Sequence, residues 1–383
     1  MNDIELIQIL SDFLNGRKSD VNTISDCTTL AEDIFISAKS HQVEPILYYQ
    51  THDPHFEAVY SKAVSAYANR IHILKALDEA LTEAHISYYL VKGPVVAAHY
   101  PVPALRTMGD CDVIVHSSDR ESVGRILAGL GFVNKSNNDD HEWTFFKGDI
   151  SSGNEIEIEL HDALLYYDAI NSDAEMEFVK KHWSYARNNK LDKNFHFVYL
   201  LIHLKKHFLY EGVGFRQFMD VAVEIKKGDL DWSKVNAFLE EAGLTKFAGI
   251  CFGLIKRWFG IEVPFSELIT DDFYINATEK ILNNGVFGFD DSSNSVNNKL
   301  NRVRRNGKLH SFIANLFPSY KDCRYVPYYS FVNGRPYLLP IVWLYRFYRT
   351  IKYGKVKDGT EQLKEVVKTD LSERDRMLKS WGL

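Results

Sequence analysis

At 383 residues the chain is too long for one core of ordinary size, so two or three packed units are expected. A composition of 45% hydrophobic and 25% charged residues excludes a disordered or fibrous chain. The net charge of −6 conceals a division: residues 299–357 carry 13 Lys or Arg against one acid, Asp322, which leaves −18 on the remainder.

Cys27, Cys111, Cys251 and Cys323 are scattered, with no paired spacing of the zinc or redox kind. Acids stand in MNDIELIQIL where a secretory leader would carry Lys or Arg, so a cytoplasmic chain is expected. The longest apolar run, YLLPIVWLY (337–345), is far too short to span a bilayer.

In chain order, IELIQILSDFL, TLAEDIFISAKS and the long FEAVYSKAVSAYANRIHILKALDEALTEA repeat apolar residues every three or four positions, which predicts an N-terminal helical region over 1–85. From 86 the texture changes to a small α/β core reaching 170. ISYYLVKG is a strand ended by Lys-Gly-Pro, VVAAHY a short helix and DCDVIV a strand. SDRESVGRILAGLG is a helix with a Ser118–Glu121 capping box. GFVNKS and EWTFFKG form a strand pair. NEIEIELH alternates, putting Ile156, Ile158 and Leu160 on one face and Glu155, Glu157, Glu159 and His161 on the other.

Helical periodicity returns over 171–290, in FHFVYLLIHLKKHFLY, FRQFMDVAVEIKK, VNAFLEEAG, LTKFAGICFGLIKRWF and ATEKILNN. FGFDDSSNSVNNK (287–299) reads as a linker. Residues 291–383 form a basic aromatic segment and a last helix near 360–381. The fold class is therefore α+β.

RTMGDCDVIVH (106–116) carries the chemistry. Strand alternation sends Asp110 and Asp112 to one side, where two adjacent carboxylates hold a metal, share a proton or decorate a solvated strand edge. With Glu157 or Glu159 from a neighbouring strand, they make the oxygen cluster that Mg²⁺ takes. Two such ions can activate an attacking oxygen and neutralise a leaving pyrophosphate. Lys92, Gly93 and Arg106, just upstream, suit a phosphate: two cations, and a glycine that lets the backbone come close.

LVKGPVVAAHYPVPALRTMGDCDVIV, followed by EIELH, resembles the uncharacterised nucleotidyltransferase family of the DNA polymerase beta-like superfamily. LLIHLKKHFLYEGVGFRQFMDVAVEI (200–225) is similar to the helical portion of the same proteins. The resemblance implies a small mixed sheet of polymerase beta-like type flanked by helices. It also implies Mg²⁺-dependent transfer of a nucleoside monophosphate from an NTP to a hydroxyl. By its pattern Asp110, Asp112 and Glu159 are the metal-binding and catalytic acids, with Glu159 preferred over Glu157 for helping to deprotonate the acceptor. Lys92, Gly93 and Arg106 face the triphosphate. His161, Arg216 and Asp220 border the nucleotide, in a cleft between the sheet and the helix that carries the last two. The chain departs from the superfamily at Gly93-Pro94, where a proline removes a backbone N–H donor. That departure admits a second reading, a member that keeps the fold and acts as a binding or regulatory module.

Other pairings have plainer explanations. His203 and His207 share a helix face, but no Glu lies between them in the zinc-protease manner, so packing or substrate contact is preferred to a metal. Arg216 and Asp220, also four apart, read as a surface ion pair or as a nucleotide contact. The His161-Asp162 doublet is found in metal-dependent phosphohydrolases, but there it lies on a helix and here it ends a strand. The basic block can grip RNA, lie on an anionic membrane or wrap the fold. The wrap is the plainest of the three, and without an RNA-binding motif the membrane is preferred to RNA. The acceptor stays open among glycan, small molecule, RNA end and protein.

Overall fold

The computed structural model describes residues 2–19, 28–136, 142–148, 155–165, 172–183, 191–210, 212–284, 320–323, 332, 335–352 and 371–383. The helices α1 (Asn2–Leu14), α2 (Thr28–Ser40), α3 (Pro45–Thr51) and α4 (Glu57–Glu83) come first. They are followed by β1 (Tyr88–Leu90), α5 (Gly93–Ala97), β2 (Asp110–Val115), α6 (Arg120–Gly129), β3 (Val133–Asn134), β4 (Glu142–Lys147) and β5 (Ile156–His161). Then come α7 (Asp173–His182), α8 (Lys193–Tyr210), α9 (Phe215–Lys227), α10 (Trp232–Glu241), α11 (Thr245–Phe259) and α12 (Asp271–Asn284). Past the single turn Tyr320–Cys323 lie α13 (Leu339–Lys352) and α14 (Leu371–Ser380). The architecture is α+β: a small mixed sheet flanked by helices on both sides in sequence.

The five strands run in the order β1-β2-β5-β4-β3, with β2 and β5 parallel and every other pair antiparallel. A parallel pair needs a crossover, and α6 with the β3–β4 hairpin supplies it. One face of the sheet is apolar. Cys111, Val113, Val115, Ile158 and Leu160 are buried there against Leu77 and Leu81 of α4 and Val123 and Leu127 of α6. The four α4 residues Ile73, Leu74, Leu77 and Leu81 recur at helical spacing, so one stripe of a 27-residue helix is held to the sheet.

The other face is divided. Tyr89 and Ile114 join the larger buried cluster, which includes Leu10 and Phe13 of α1, Phe178 of α7, Phe197 and Leu201 of α8 and Phe252 of α11. The remainder of that face carries the acids. The starts of β2 and β5, bearing Asp110 and Glu157, are thus left facing a cleft.

Two local expectations need correction. α6 begins at Arg120 behind Asp119, and Ser118 Oγ bonds Asp119 and the His116 ring, so the Ser118–Glu121 capping box does not form. A capping box does occur one helix later, between Ser172 and Glu175 at the start of α7. The short helix after β1 starts at Gly93 rather than beyond Pro94, because proline is tolerated in a first turn where its missing N–H has no partner to lose. The linker at 287–299 and the start of the last helix, 360–370, lie outside the described residues.

Candidate active site

The parallel register of β2 on β5 sets Asp110 beside Glu157, Asp112 beside Glu159 and Ile114 beside His161. Neighbours across a register share a sheet face, so the two alternating patterns combine into one acidic strip. β4 extends it, since Glu142 lies opposite His161.

Asp112 is buried and is the most tightly held of these acids. Its Oδ1 accepts from Lys92 Nζ at 2.7 Å and lies 3.1 Å from His161 Nε2. Burial would raise its carboxyl pKa, but the charges of Lys92 and His161 outweigh that and hold it well below the usual carboxylate range. His161 Nε2 also lies 3.4 Å from Glu159 Oε2, and its Nδ1 lies 3.5 Å from Glu142 Oε2. Burial pulls the imidazole pKa down. The bonds to Asp112 and Glu159 prevail and hold it up at about 9, so the ring is a cation at neutral pH. Glu157 is pushed up to about 7, by desolvation first and then by repulsion from Glu159 and Asp110. Asp110 has no ion-pair partner among the described residues.

Ligating atoms of Asp112, Glu159 and His161 lie within 4.8 Å of one another, and with the ring protonated the two carboxylates are the ones left to hold an ion. Asp110 is outside that group and borders it on the same face, beside Glu157. The hard carboxylate oxygens fit Mg²⁺ or a similar divalent cation. His161, protonated and bonded to two of the acids, holds those carboxylates in place.

Lys92 sits between β1 and α5 with φ 53° and ψ −117°, a conformation that glycine ordinarily supplies in a type II′ turn. Its N–H donates to His196 Nε2 at 3.1 Å, tying the bend to α8, while its ammonium reaches Asp112. Gly93 follows because nothing larger fits: a Cβ there would come within 2.7 Å of Arg106 Nη1 and 3.1 Å of Met108 Sδ.

Arg106 is buried and clamped to Asp220 at the wall of the cleft. Its Nε and Nη2 donate to Asp220 Oδ1 and Oδ2 at 3.1 and 2.7 Å, and Tyr100 adds its hydroxyl to Oδ1 at 2.7 Å. The Arg216–Asp220 pairing suggested by their spacing is therefore not made. Asp220 instead joins α9 to the segment that precedes β2. Arg216, one turn earlier, has no ion pair among the described residues and a buried Nε without a hydrogen-bond partner. Burial and the neighbouring Arg106 push its pKa down.

These side chains border one cleft of about 610 Å³, walled by the sheet on one side and by α8 and α9 on the other. Lys92, Gly93, Arg106, Asp110, Asp112, Glu159, His161, Arg216 and Asp220 all line it. Lys206 and the His203–His207 pair line it too, with Nε2 atoms 2.8 Å apart. The sequence reading passed over Lys206, His196 and Glu142. A lysine on an amphipathic helix reads as solvated surface, and only the tertiary fold turns that surface to the acids. Asp162 pairs with Arg120 at 3.5 Å and borders a separate depression, so the His161-Asp162 doublet does not act as a unit in this cleft.

No curated protein and no solved structure matches the chain. The model of a family described as uncharacterised nucleotidyltransferase matches residues 30–260, well over half its length, from α2 through the acidic strip to the end of α11. With that match covering both walls of the cleft, the chain belongs to the uncharacterised nucleotidyltransferase family.

Proposed function

We propose that the cleft transfers a nucleoside monophosphate from an NTP to a hydroxyl of an acceptor, with Mg²⁺ held by Asp112, Glu159 and the adjoining Asp110. The observation that carries this reading is the β2–β5 register, which gathers the acids of two strands opposite the cations of α8 and α9. Bound Mg²⁺ supplies charge neutralisation on the phosphates.

The chain's own groups do the rest. Lys206 and Arg216, which have no ion pair among the described residues, receive the phosphate charge across the cleft. His161 keeps Asp112 and Glu159 oriented. Glu159 takes the proton as the acceptor oxygen forms its bond to the α-phosphorus. The bond from that phosphorus to the bridging oxygen breaks, and pyrophosphate leaves with its electron pair. Lys92, within reach of Asp112 and the cleft, follows the charge as it moves.

One observation favours a second reading. Lys92 is bonded to Asp112 and Arg106 to Asp220, so both cations expected for the triphosphate already have carboxylate partners. A member that binds nucleotide without transferring it would keep that arrangement.

The test is incubation with each α-labelled NTP, Mg²⁺ and a cell extract. Release of pyrophosphate and a labelled acceptor, both lost in Asp110→Asn and Asp112→Asn, is the expected result. Mg²⁺-dependent nucleotide binding without turnover supports the second reading, and no nucleotide binding at all overturns both.

A further inference from the structure

Helix α13 presents a surface that the cleft chemistry does not use. Ile341 and Leu344, three apart on one side of the helix, are 52% and 71% exposed; Tyr345 beside them is 39% exposed, and Tyr337, 73% exposed, lies in the turn Pro336–Leu338 just before the helix. They supply four of the twelve large apolar side chains exposed among the described residues, within nine consecutive positions. The start of the helix is anchored. Val342 is fully buried with Cys323 and Val332, and Leu338 and Leu339 pack against them. The helix is therefore held near its start and leaves Ile341 and Leu344 outward.

Charge identifies what covers that surface. From Arg335 to Lys352 the sequence holds Arg335, Arg346, Arg349 and Lys352 and no acid, within the 299–357 stretch of 13 basic residues and one acidic. We propose that α13 docks in the plane of an anionic lipid bilayer, its exposed apolar side chains entering the headgroup boundary while the basic residues neutralise lipid phosphates. Fourteen residues span about 21 Å as a helix, which is long enough to lie in an interface and too short to cross it. A second copy of the chain would bring like charge to like charge. RNA would pair with the basic residues and stack on the tyrosines, but it has no use for Ile341 and Leu344. An anionic bilayer uses every component. This inference stands independently of the reaction proposed for the cleft.

The experiment is sedimentation of the full chain with vesicles of pure phosphatidylcholine and with vesicles containing about 30 mol% phosphatidylglycerol. Binding to the anionic vesicles at least tenfold tighter than to the neutral ones is expected, released as salt rises to roughly 0.5 M. Ile341→Asp and Leu344→Asp each weaken it at least tenfold, whereas Leu268→Asp, at a 90% exposed site elsewhere, leaves it unchanged. Both α13 positions are on the surface, so folding is checked by an unaltered circular dichroism spectrum and melting midpoint. Failure to bind anionic vesicles overturns the proposal, as does binding that ignores the α13 substitutions. So does a dimer that depends on these side chains, or an RNA complex that blocks the vesicles and is itself lost in Leu344→Asp.

Discussion

Lys92 Nζ lies 2.7 Å from Asp112 Oδ1, with the lysine only 16% and the aspartate 4% exposed at the side chain. The pair divides the two aspartates of RTMGDCDVIVH into different physical objects. Asp112 is half of a buried ion pair, and removing one partner of such a pair leaves the other charge uncompensated. Asp112→Asn is expected to destabilise the metal-free protein by about 3 kcal/mol. Asp110→Asn, relieved of repulsion from neighbouring carboxylates and breaking no ion pair among the described residues, is expected within about 0.5 kcal/mol of the parent or slightly above it. Chemical denaturation of both variants checks the contrast, and equal losses at the two positions would contradict it.

The contact of Arg106 with Asp220 joins the sheet unit to α9 through two hydrogen bonds and a buried charge pair. Asp220→Ala and Arg106→Met should each cost roughly 3–5 kcal/mol. The double variant should lose much less than the sum, because neither charge is then stranded. A double-mutant cycle by urea denaturation measures this. Additive losses would show that the pair contributes nothing as a pair.

Gly93 is held to its identity by the same arginine. A Cβ would approach Arg106 Nη1 at 2.7 Å, and a clamped guanidinium yields less easily than a free one. Gly93→Ala is expected to lower stability by about 1–3 kcal/mol and to weaken nucleotide binding together with it. Pairing the alanine with Arg106→Met, which removes the obstructing atom, should recover part of the loss measured against Arg106→Met alone.

His41 predicts acid sensitivity away from the cleft acids. It is fully buried, its Nδ1 accepts from the Phe215 N–H at 3.3 Å, and its ring lies 4.8 Å from that of Phe215. Burial lowers its pKa from 6.5 to about 4. The unfolded chain therefore takes a proton more readily than the folded one. Stability from this group is complete above pH 6.5 and declines as pH falls toward 4, by up to roughly 3 kcal/mol. His41→Asn, which keeps an acceptor near Nδ1 but cannot be protonated, should flatten the melting midpoint between pH 6.5 and 4.5. His196, also lowered to about 4 by burial and then by His99, adds a second step of the same sign that the single variant retains.

The sequence was most legible where a periodicity had one interpretation. The alternation of NEIEIELH placed Ile156, Ile158 and Leu160 in the core and Glu157 and Glu159 toward the cleft, as β5 has them. It was least legible where a terminus depends on competition between nearby groups. Ser118 had a suitable Glu121 three residues on, yet its hydroxyl turned to Asp119 and the His116 ring. The same limit applies to Arg216 and Asp220: helical spacing makes two residues neighbours but cannot show that Arg106, 114 positions away, takes the aspartate first.

Sequence alone determined the strand that bears Asp110 and Asp112, the acidic face of β5 and the helical character of the flanks, because hydrophobic periodicity is a local property of the chain. Tertiary structure decided the partners. The parallel register set Asp112 beside Glu159, the bend at Lys92 delivered its ammonium to Asp112, and the docking of α8 and α9 brought Lys206 and Arg216 across from the acids. Electrostatic partnership falls off over a few ångströms of space and is blind to distance along the chain, so only the folded arrangement could assign it.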